Sequence, residues 1–285
     1  MAFERMKLGL FAKIFVRPTV EEVFAAVARR SVRFVQFNFA SAGLPSLPEE
    51  IEPALLEEIR RAAVRHRIGL AAVSGTFNMI HPDRTQRRTG LQRLEVIAGA
   101  CATLQTQVIT LCTGTRDPQD MWRRHPDNDS EEAWRDLCVS MTKALTIADK
   151  HGVTLGIEPE TANVVNSARQ ARRLLDEMRS PRLKIVLDAA NLFQPGDLRR
   201  MTEILDEAFD RLGSDLVLAH AKELGAEGHA GNLPLGAGVL DWAHYLELLR
   251  AARFPGPLIL HGFEEKDLIP SLKFLRGLLS PQRTG

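Results

Sequence analysis

The pattern that decides the fold is clearest in the sequence VTLGIEPE, which spans residues 153–160. Just before it stands Lys150-His151-Gly152, a basic pair followed by glycine, which is typical of the C-terminus of a helix. The apolar run Val153–Ile157 has the length and composition of a buried strand, and the carboxylates of Glu158 and Glu160 follow it. A helix therefore leads directly into a short strand whose end is charged.

The same unit of helix and strand recurs along the chain. Short apolar runs predict eight strands, at Lys7–Phe11, Arg33–Phe37, Gly69–Val73, Gln107–Leu111, Val153–Ile157, Leu183–Leu187, Asp215–Ala219 and Pro257–Leu260. Apolar positions three and four apart predict helices between and after them, at Val20–Arg30, Glu49–Arg67, Asp83–Leu104, Ser130–His151, Asn166–Arg179, Asp197–Leu212, Leu240–Arg253 and Lys266–Leu279. Strict alternation implies parallel strands with right-handed crossovers, and eight such units close a barrel.

Two further observations favour a barrel over an open doubly wound sheet. No GxGxxG or GxxxxGK[ST] motif follows any strand, so the phosphate-binding fingerprint of the open sheets is missing from the sequence. No linker rich in proline, glycine or serine divides the chain. We therefore predict an α/β protein with one (β/α)8 TIM barrel domain over residues 1–285.

The composition argues against nucleic-acid and membrane partners. The chain has 37 Lys and Arg against 36 Asp and Glu, a net charge of +1, and so lacks the basic excess of proteins that bind phosphate backbones. No run approaches the roughly 20 apolar residues of a membrane span, and the N-terminus has no signal-peptide core. The 3 cysteines lack CxxC spacing, which is typical of a reducing compartment. We expect a cytoplasmic protein.

Each of the last four predicted strands is followed by a charged or imidazole side chain, namely Glu158, Asp188, His220 and His261. The carboxyl ends of barrel strands meet at one face, where the catalytic residues of TIM barrels lie. Two carboxylates and two imidazoles brought together there need a cation between them. Mn²⁺, Co²⁺ or Zn²⁺ suits such mixed ligands, and Mg²⁺ suits them less. The set predicts one divalent metal site.

Other polar residues are expected at the same rim. Side chains alternate along a strand, so Glu160 and Lys222 face the same side as Glu158 and His220 and are candidates to bind the substrate or to support the metal ligands. By the same rule Glu264 faces away from His261, although it could return from its loop. The long loop after the fourth strand and the loop after the third strand add three candidates for substrate binding, Arg116, Trp122 and His81. Solvated loop charges are the alternative interpretation of Glu160 and Lys222.

Four motifs carry a resemblance to a known family: Gly156-Ile157-Glu158-Pro159-Glu160, Leu187-Asp188-Ala189-Ala190-Asn191, Ala219-His220-Ala221-Lys222 and Gly236-Ala237-Gly238-Val239-Leu240-Asp241. Over essentially its whole length the chain resembles the xylose isomerase-like TIM barrel superfamily. Within it, the chain is similar to the sugar phosphate isomerase/epimerase group that includes the D-tagatose 3-epimerase-like enzymes. The last motif resembles the family's entry to its seventh helix and implies a role in shaping that loop.

The resemblance implies metal ligands and also two departures from the family pattern. Members bind a divalent metal through a Glu, an Asp, a His and a second Glu on strands five to eight, and Glu158, Asp188 and His220 match the first three. His261 stands where the second Glu is expected, although the epimerases use their two glutamates on opposite faces of the substrate. Asn191 stands where the epimerases often carry a substrate-binding His, and we expect Asn191 to bind the substrate.

The expected function is a metal-dependent isomerase or epimerase of a sugar, keto-sugar or sugar phosphate. Proton abstraction next to a carbonyl would give an enediolate stabilised by the metal, with Mn²⁺ or Co²⁺ favoured and Zn²⁺ or Mg²⁺ compatible. Glu158 is the expected base, and His261 or Glu264 would return the proton. Lys222 or Arg116 would bind a terminal carboxylate or phosphate.

Three alternatives stay open at this point. The same barrel family includes dehydratases of cyclic keto-polyols, in which an imidazole acid such as His261 suits the leaving hydroxyl. A non-catalytic sugar-binding barrel is the second alternative. An apurinic-site endonuclease uses this fold too, but the near-zero net charge and only 8 histidines disfavour it. We expect a small sugar-like partner and no nucleic acid or membrane, and the apolar helix faces are compatible with a homodimer or homotetramer.

Overall fold

A computed structural model describes residues 6–280, and eight parallel strands form a closed barrel in chain order. The strands are β1 Leu8–Phe11, β2 Phe34–Phe37, β3 Gly69–Ser74, β4 Val108–Leu111, β5 Thr154–Ile157, β6 Leu183–Asp188, β7 Leu216–Ala221 and β8 Leu258–Leu260. Because β8 pairs with β1, the sheet has no free edge. The predicted (β/α)8 TIM barrel is confirmed. Its extent as one domain over residues 1–285 stays a prediction.

A helix follows each strand and packs on the outside of the barrel. The helices are α1 Val20–Arg29, α2 Pro53–His66, α3 Arg84–Ala100, α4 Glu131–His151, α5 Ala168–Met178, α6 Met201–Leu212, α7 Trp242–Ala251 and α8 Leu268–Leu279. None of the helices within residues 6–280 is long and apolar enough to cross a membrane.

Capping residues set the helix boundaries. Thr19 accepts a hydrogen bond from the Glu22 amide at 3.2 Å at the start of α1, as the capping-box pattern requires. Helix α2 begins at Pro53, four residues later than the apolar period suggests, because proline lacks the N–H that an interior helical position needs. Gly152, at φ +68°, ends α4 in the left-handed conformation that glycine adopts without strain.

The inside of the barrel is filled below its C-terminal face. Ala72, Val186, Leu218 and Ile259 form a small buried cluster, separate from the main core between strands and helices. Val186 and Leu218 precede Asp188 and His220 by two residues, so each pair faces the same side of its strand. The polar residues at the strand ends therefore lie directly above a layer of buried apolar side chains.

Register brings the expected site residues side by side. Asp188 and His220 are direct partners on β6 and β7, which extend one and two residues further than their predicted ends. His261 directly follows β8, and its amide donates to the Ala221 carbonyl at 3.1 Å. The Glu158 amide likewise donates to the Leu111 carbonyl at 2.9 Å, directly after β5. Strand pairing therefore fixes the backbone of all four residues.

Candidate metal and substrate site

A cavity of about 1020 Å³ opens at the C-terminal ends of the strands. Its lower wall holds the polar residues at the strand ends. Residues from several loops form the upper wall. The lining residues named as candidates from the sequence are Glu158, Asn191, His220, Lys222, His261, Glu160 and Trp122. Asp188 lies beneath them, fully buried.

The orientation of His220 is fixed by Gln36. The Gln36 side-chain amide donates to Ser74 Oγ and Thr110 Oγ1, both at 3.1 Å, which turns its carbonyl oxygen toward His220. His220 Nε2 lies 2.7 Å from that oxygen, and because a carbonyl oxygen can only accept, Nε2 carries the hydrogen. In the neutral ring Nδ1 then has a free lone pair. Nδ1 is buried and has no hydrogen-bond partner among the described residues.

Asp188, His220 and His261 form a compact group of possible metal ligands. One ligand atom from each lies within 4.8 Å of the others. His261 Nε2 is 2.9 Å from Asp188 Oδ2, and the two imidazole rings meet edge to face with centroids 4.4 Å apart. Burial and the neighbouring His220 lower the pKa of His261, so its ring is neutral at pH 7 and able to ligate. These three residues can hold a divalent ion.

Glu158 borders this group. Its Oε1 lies 3.4 Å from His220 Nδ1 and accepts a hydrogen bond from Asn191 Nδ2 at 2.7 Å. Burial alone would raise the pKa of Glu158, but the positive charge that His220 carries when its ring is protonated outweighs burial and holds this pKa below its usual value. The carboxylate is therefore ionised and held in one orientation, as a metal ligand or a base requires.

Lys222 places a positive charge among these carboxylates. Its Nζ donates to Asn191 Oδ1 at 2.6 Å and lies 3.5 Å from Asp188 Oδ2. Burial would lower the pKa of Lys222, but Asp188 and Glu158 outweigh burial and raise it, so the ammonium stays charged. The same ammonium helps to hold the pKa of Asp188 well below its usual range against the effect of burial.

Glu160 is the other carboxylate in the cavity. Burial, reinforced by the charge of Glu158, raises the pKa of Glu160 to about 7. Its Oε2 accepts a hydrogen bond from Asn163 Nδ2 at 3.3 Å. Two acidic residues two positions apart thus have pKa values displaced in opposite directions, which is a common feature of active sites.

Three candidates lie outside the cavity. Arg116 is partly buried against α4, where it pairs with Asp136 at 2.7 Å and donates to the Ile80 carbonyl. His81 Nε2 lies 3.2 Å from the Pro118 carbonyl oxygen, between two loops, and does not line the cavity. Glu264 is 75% exposed and pairs with Lys266 at 2.8 Å. Local ion pairs and loop contacts therefore hold these three side chains away from the cavity, and their predicted roles stay predictions.

Trp122 stands at the cavity mouth with 54% of its surface exposed, a position from which its ring can cover a bound molecule. The cavity also contains residues that the motifs did not single out. Ser74 and Thr110 hold Gln36, and the signal for both was a hydroxyl near the end of an apolar strand. His229 and Asn232, from the loop after β7, line the wall as well, and no periodic pattern marks such loop positions. The catalytic and binding roles of all these residues stay predictions.

Solved structures with the same fold include several sugar epimerases. The 3-keto-D-glucoside 4-epimerase from E. coli superposes with a TM-score of 0.73 over 96% of this chain and 98% of that chain, at 18% identity. A D-psicose 3-epimerase from Clostridium cellulolyticum H10, crystallised with D-tagatose, gives a TM-score of 0.74 over 96% and 100%, at 17% identity. The IOLI protein with a bound zinc atom gives a TM-score of 0.76 over 98% of this chain and 100% of that chain, at 15% identity.

At these identities the superpositions show a shared fold. No curated protein sequence gives a significant match. The model of the family described as xylose isomerase-like TIM barrel, however, matches residues 24–278, which is most of the chain. The resemblance drawn from the strand-end motifs is confirmed, and the chain belongs to the xylose isomerase-like TIM barrel family.

Proposed function

We propose that the protein is a metal-dependent isomerase or epimerase of a sugar, keto-sugar or sugar phosphate. The observation that carries the proposal is the buried Nδ1 of His220, which has no hydrogen-bond partner among residues 6–280 and is directed by Gln36 toward Glu158 and Asp188. Burying a lone pair without a hydrogen-bond partner costs free energy. Coordination of a cation by this lone pair would remove that cost. Family membership and the sugar epimerases among the structural neighbours support the same class.

The donor set favours Mn²⁺ or Co²⁺ and is compatible with Zn²⁺ or Mg²⁺. Asp188, His220 and His261 would hold the ion, with Glu158 as the fourth ligand. A bound divalent ion would supply Lewis-acid polarisation of a substrate carbonyl. Lys222 lies 3.5 Å from Asp188 Oδ2, so the ion would share that carboxylate with the ammonium.

The remaining steps belong to the side chains of the cavity. Glu158, ionised and oriented by Asn191, would remove the proton next to the carbonyl. His261, after taking up a proton from solvent, would return one to the substrate, because Glu264 points to solvent. Lys222 and Glu160 would bind polar groups of the substrate, and Trp122 would cover its apolar face.

Metal analysis together with a substrate panel tests the proposal. We expect about one Mn, Co or Zn per chain after loading, and loss of most of it in His220→Ala. The loaded protein should convert at least one ketose or keto-sugar of a panel containing D-tagatose, D-fructose and 3-keto-D-glucosides. Absence of metal under every loading condition would contradict the proposal and favour a non-catalytic sugar-binding barrel.

A dehydratase is the second candidate. The observation that favours it is His261, an imidazole in place of the second carboxylate that a two-base epimerisation uses. An imidazole beside Asp188 could protonate a departing hydroxyl. In the same panel, extended to cyclic keto-polyols, growth of an enone absorbance in the ultraviolet would identify elimination, and an isomerase would give none.

A further inference from the structure

Glu223 is a carboxylate with 0% exposure that the proposed chemistry does not use. It directly follows Lys222, and its side chain points away from the cavity into the base of the loop between β7 and α7. Its Oε1 accepts hydrogen bonds from the amides of Leu224 at 3.0 Å and Leu240 at 3.3 Å. Its Oε2 accepts from the amide of Gly236 at 2.6 Å and from the indole Nε1 of Trp242 at 2.9 Å. One side chain thus ties both ends of the loop together.

The loop held in this way, residues 224–241, forms part of the cavity wall. Gly228, His229, Ala230 and Asn232 all line the cavity. Backbone bonds continue the attachment, since the Gly231 amide donates to the Glu223 carbonyl at 2.7 Å and the Asn232 amide to the Gly262 carbonyl at 2.6 Å. The loop is therefore bound to strand β7 on one side and to the segment after β8 on the other.

The same loop confines the Lys222 side chain. A Cβ atom on Gly231 would lie 3.2 Å from Lys222 Cε, and one on Gly262 would lie 2.7 Å from Lys222 Cγ. The aliphatic stem of Lys222 therefore runs through a slot between two glycines, one of which belongs to the loop. The slot directs the ammonium onto Asn191, which in turn orients Glu158.

We propose that Glu223 is a positioning residue of the active site. By fixing the loop of residues 224–241, it keeps the cavity wall in place and keeps Lys222 directed at Asn191 and Glu158. A carboxylate suits this position because its two oxygens can accept all four N–H groups, whereas an amide has one accepting oxygen and would set its own N–H₂ against those donors. The role of the loop in substrate binding rests on the proposed function, but the confinement of Lys222 does not.

Glu223→Gln tests the proposal, with Glu227→Gln as the matched control, because Glu227 is an exposed acid in the same loop. We expect amide hydrogen exchange in residues 225–239 about tenfold faster in Glu223→Gln, since losing a hydrogen bond to a charged acceptor shifts a local opening by about that factor. Reductive methylation of Lys222, followed residue by residue by mass spectrometry, should accelerate similarly. The exposed Lys266 gives the reference rate in each variant.

Gly238→Ala is a second, independent perturbation that leaves the carboxylate in place. A Cβ atom there would lie 2.2 Å from the Leu224 carbonyl oxygen and 2.6 Å from Glu223 Cγ, so the loop must move away from Glu223. If Glu223→Gln does not fold, the Gly238→Ala variant decides by the same two measurements. Unchanged exchange and unchanged Lys222 labelling in the folded variant would overturn the proposal.

Metal content and kinetics separate this inference from the proposed function. Loaded metal should stay near the wild-type level in Glu223→Gln, because none of the ligand candidates contacts the loop amides that Glu223 binds. With any sugar of the panel that the wild type converts, KM should rise about tenfold while kcat changes less, since a displaced wall weakens binding. An equal fall in kcat and kcat/KM, with the loop still protected, would contradict a positioning role. The exchange and labelling results stand even if no sugar is converted.

Discussion

Gln36 sits between two hydroxyls on one side and His220 on the other, and this arrangement gives a residue-scale prediction. In Gln36→Leu the Nε2 hydrogen of His220 loses its acceptor, so the ring can turn or change tautomer. We expect metal affinity to fall about 10-fold to 100-fold, the usual effect of removing such a partner. Equilibrium dialysis with Co²⁺ or Zn²⁺ measures this affinity.

Gln36→Glu keeps the hydrogen-bond acceptor for His220 and is the control. Equal affinity in Gln36→Leu would show that Gln36 does not set the ring.

Glu158 and Glu264 provide a matched pair of acidic residues for the catalytic assignment. Glu158→Gln removes the base while preserving an oxygen for Asn191, and turnover should fall about 100-fold to 10,000-fold, the usual contribution of a general base. Glu264→Gln should leave turnover near wild type because that side chain is exposed and paired with Lys266. Initial rates on an accepted sugar measure both. Full activity in Glu158→Gln would exclude it as the base.

Individual site residues differ in how well the sequence predicts them. Glu158, Asp188, His220 and His261 could be found because a polar residue at the end of a barrel strand must face either the lumen or the helices. Arg116 and Glu264 could not be placed in this way. Their positions depend on Asp136 and Lys266, partners that no strand period specifies. The sequence predicts Asn191 as a substrate-binding residue, but its hydrogen bonds to Glu158 and Lys222 appear only in three dimensions.

At the scale of elements, β5 carries a testable packing constraint at Gly156. A Cβ atom there would lie 2.7 Å from Val186 Cγ2 and 3.1 Å from Val217 Cγ1. Gly156→Ala should therefore lower the free energy of unfolding by about 1 to 3 kcal/mol, as overpacking of a filled core does. Denaturant unfolding measures it. In a Val186→Ala background, Gly156→Ala should lower the free energy of unfolding by less than it does in the wild type. If the two substitutions lower the free energy of unfolding additively, the strain does not arise from the contact between residues 156 and 186.

Element boundaries were less predictable than the elements themselves. The apolar period predicts that helix α7 begins at Leu240, but it begins at Trp242, because Asp241 accepts a hydrogen bond from the His244 amide and caps the helix. The same period predicts that helix α3 extends to Leu104, but it ends at Ala100. The apolar period continues through such positions because buried turn residues are also apolar. Periodicity therefore identifies which segments are helices, and capping contacts decide where they end.

At the scale of the whole molecule, ion pairs that join elements of the outer ring predict an acid-sensitive fold. Asp136 of α4 pairs with Arg87 and Arg116, and Asp215 pairs with Lys184 and Arg172. Burial would raise the pKa of Asp136 and Asp215, but the paired cations outweigh burial and hold both pKa values below their usual range. Such groups stabilise the fold above the unfolded-state pKa of about 4, and that stability is lost as pH falls toward the folded-state pKa.

The melting temperature should therefore fall steeply as pH decreases from about 4 toward 3. In Asp136→Asn it should be lower at neutral pH and fall less on acidification, because one of the titrating groups is absent. Thermal unfolding followed by circular dichroism between pH 7 and 3 measures this. Glu227→Asn serves as the control, since Glu227 is exposed. An Asp136→Asn curve parallel to the wild type would exclude this ion pair as a source of acid sensitivity.

The order of the site residues along the chain has a consequence for how the protein is made. Gln36 comes from the second strand and His220 from the seventh, 184 residues later, and His261 follows only after the last strand. A nascent chain lacking its final unit would have neither His261 nor the closing contact of β8 with β1. Capture of the cation we propose would then come after synthesis is nearly complete, and it would preferentially stabilise finished molecules over truncated ones.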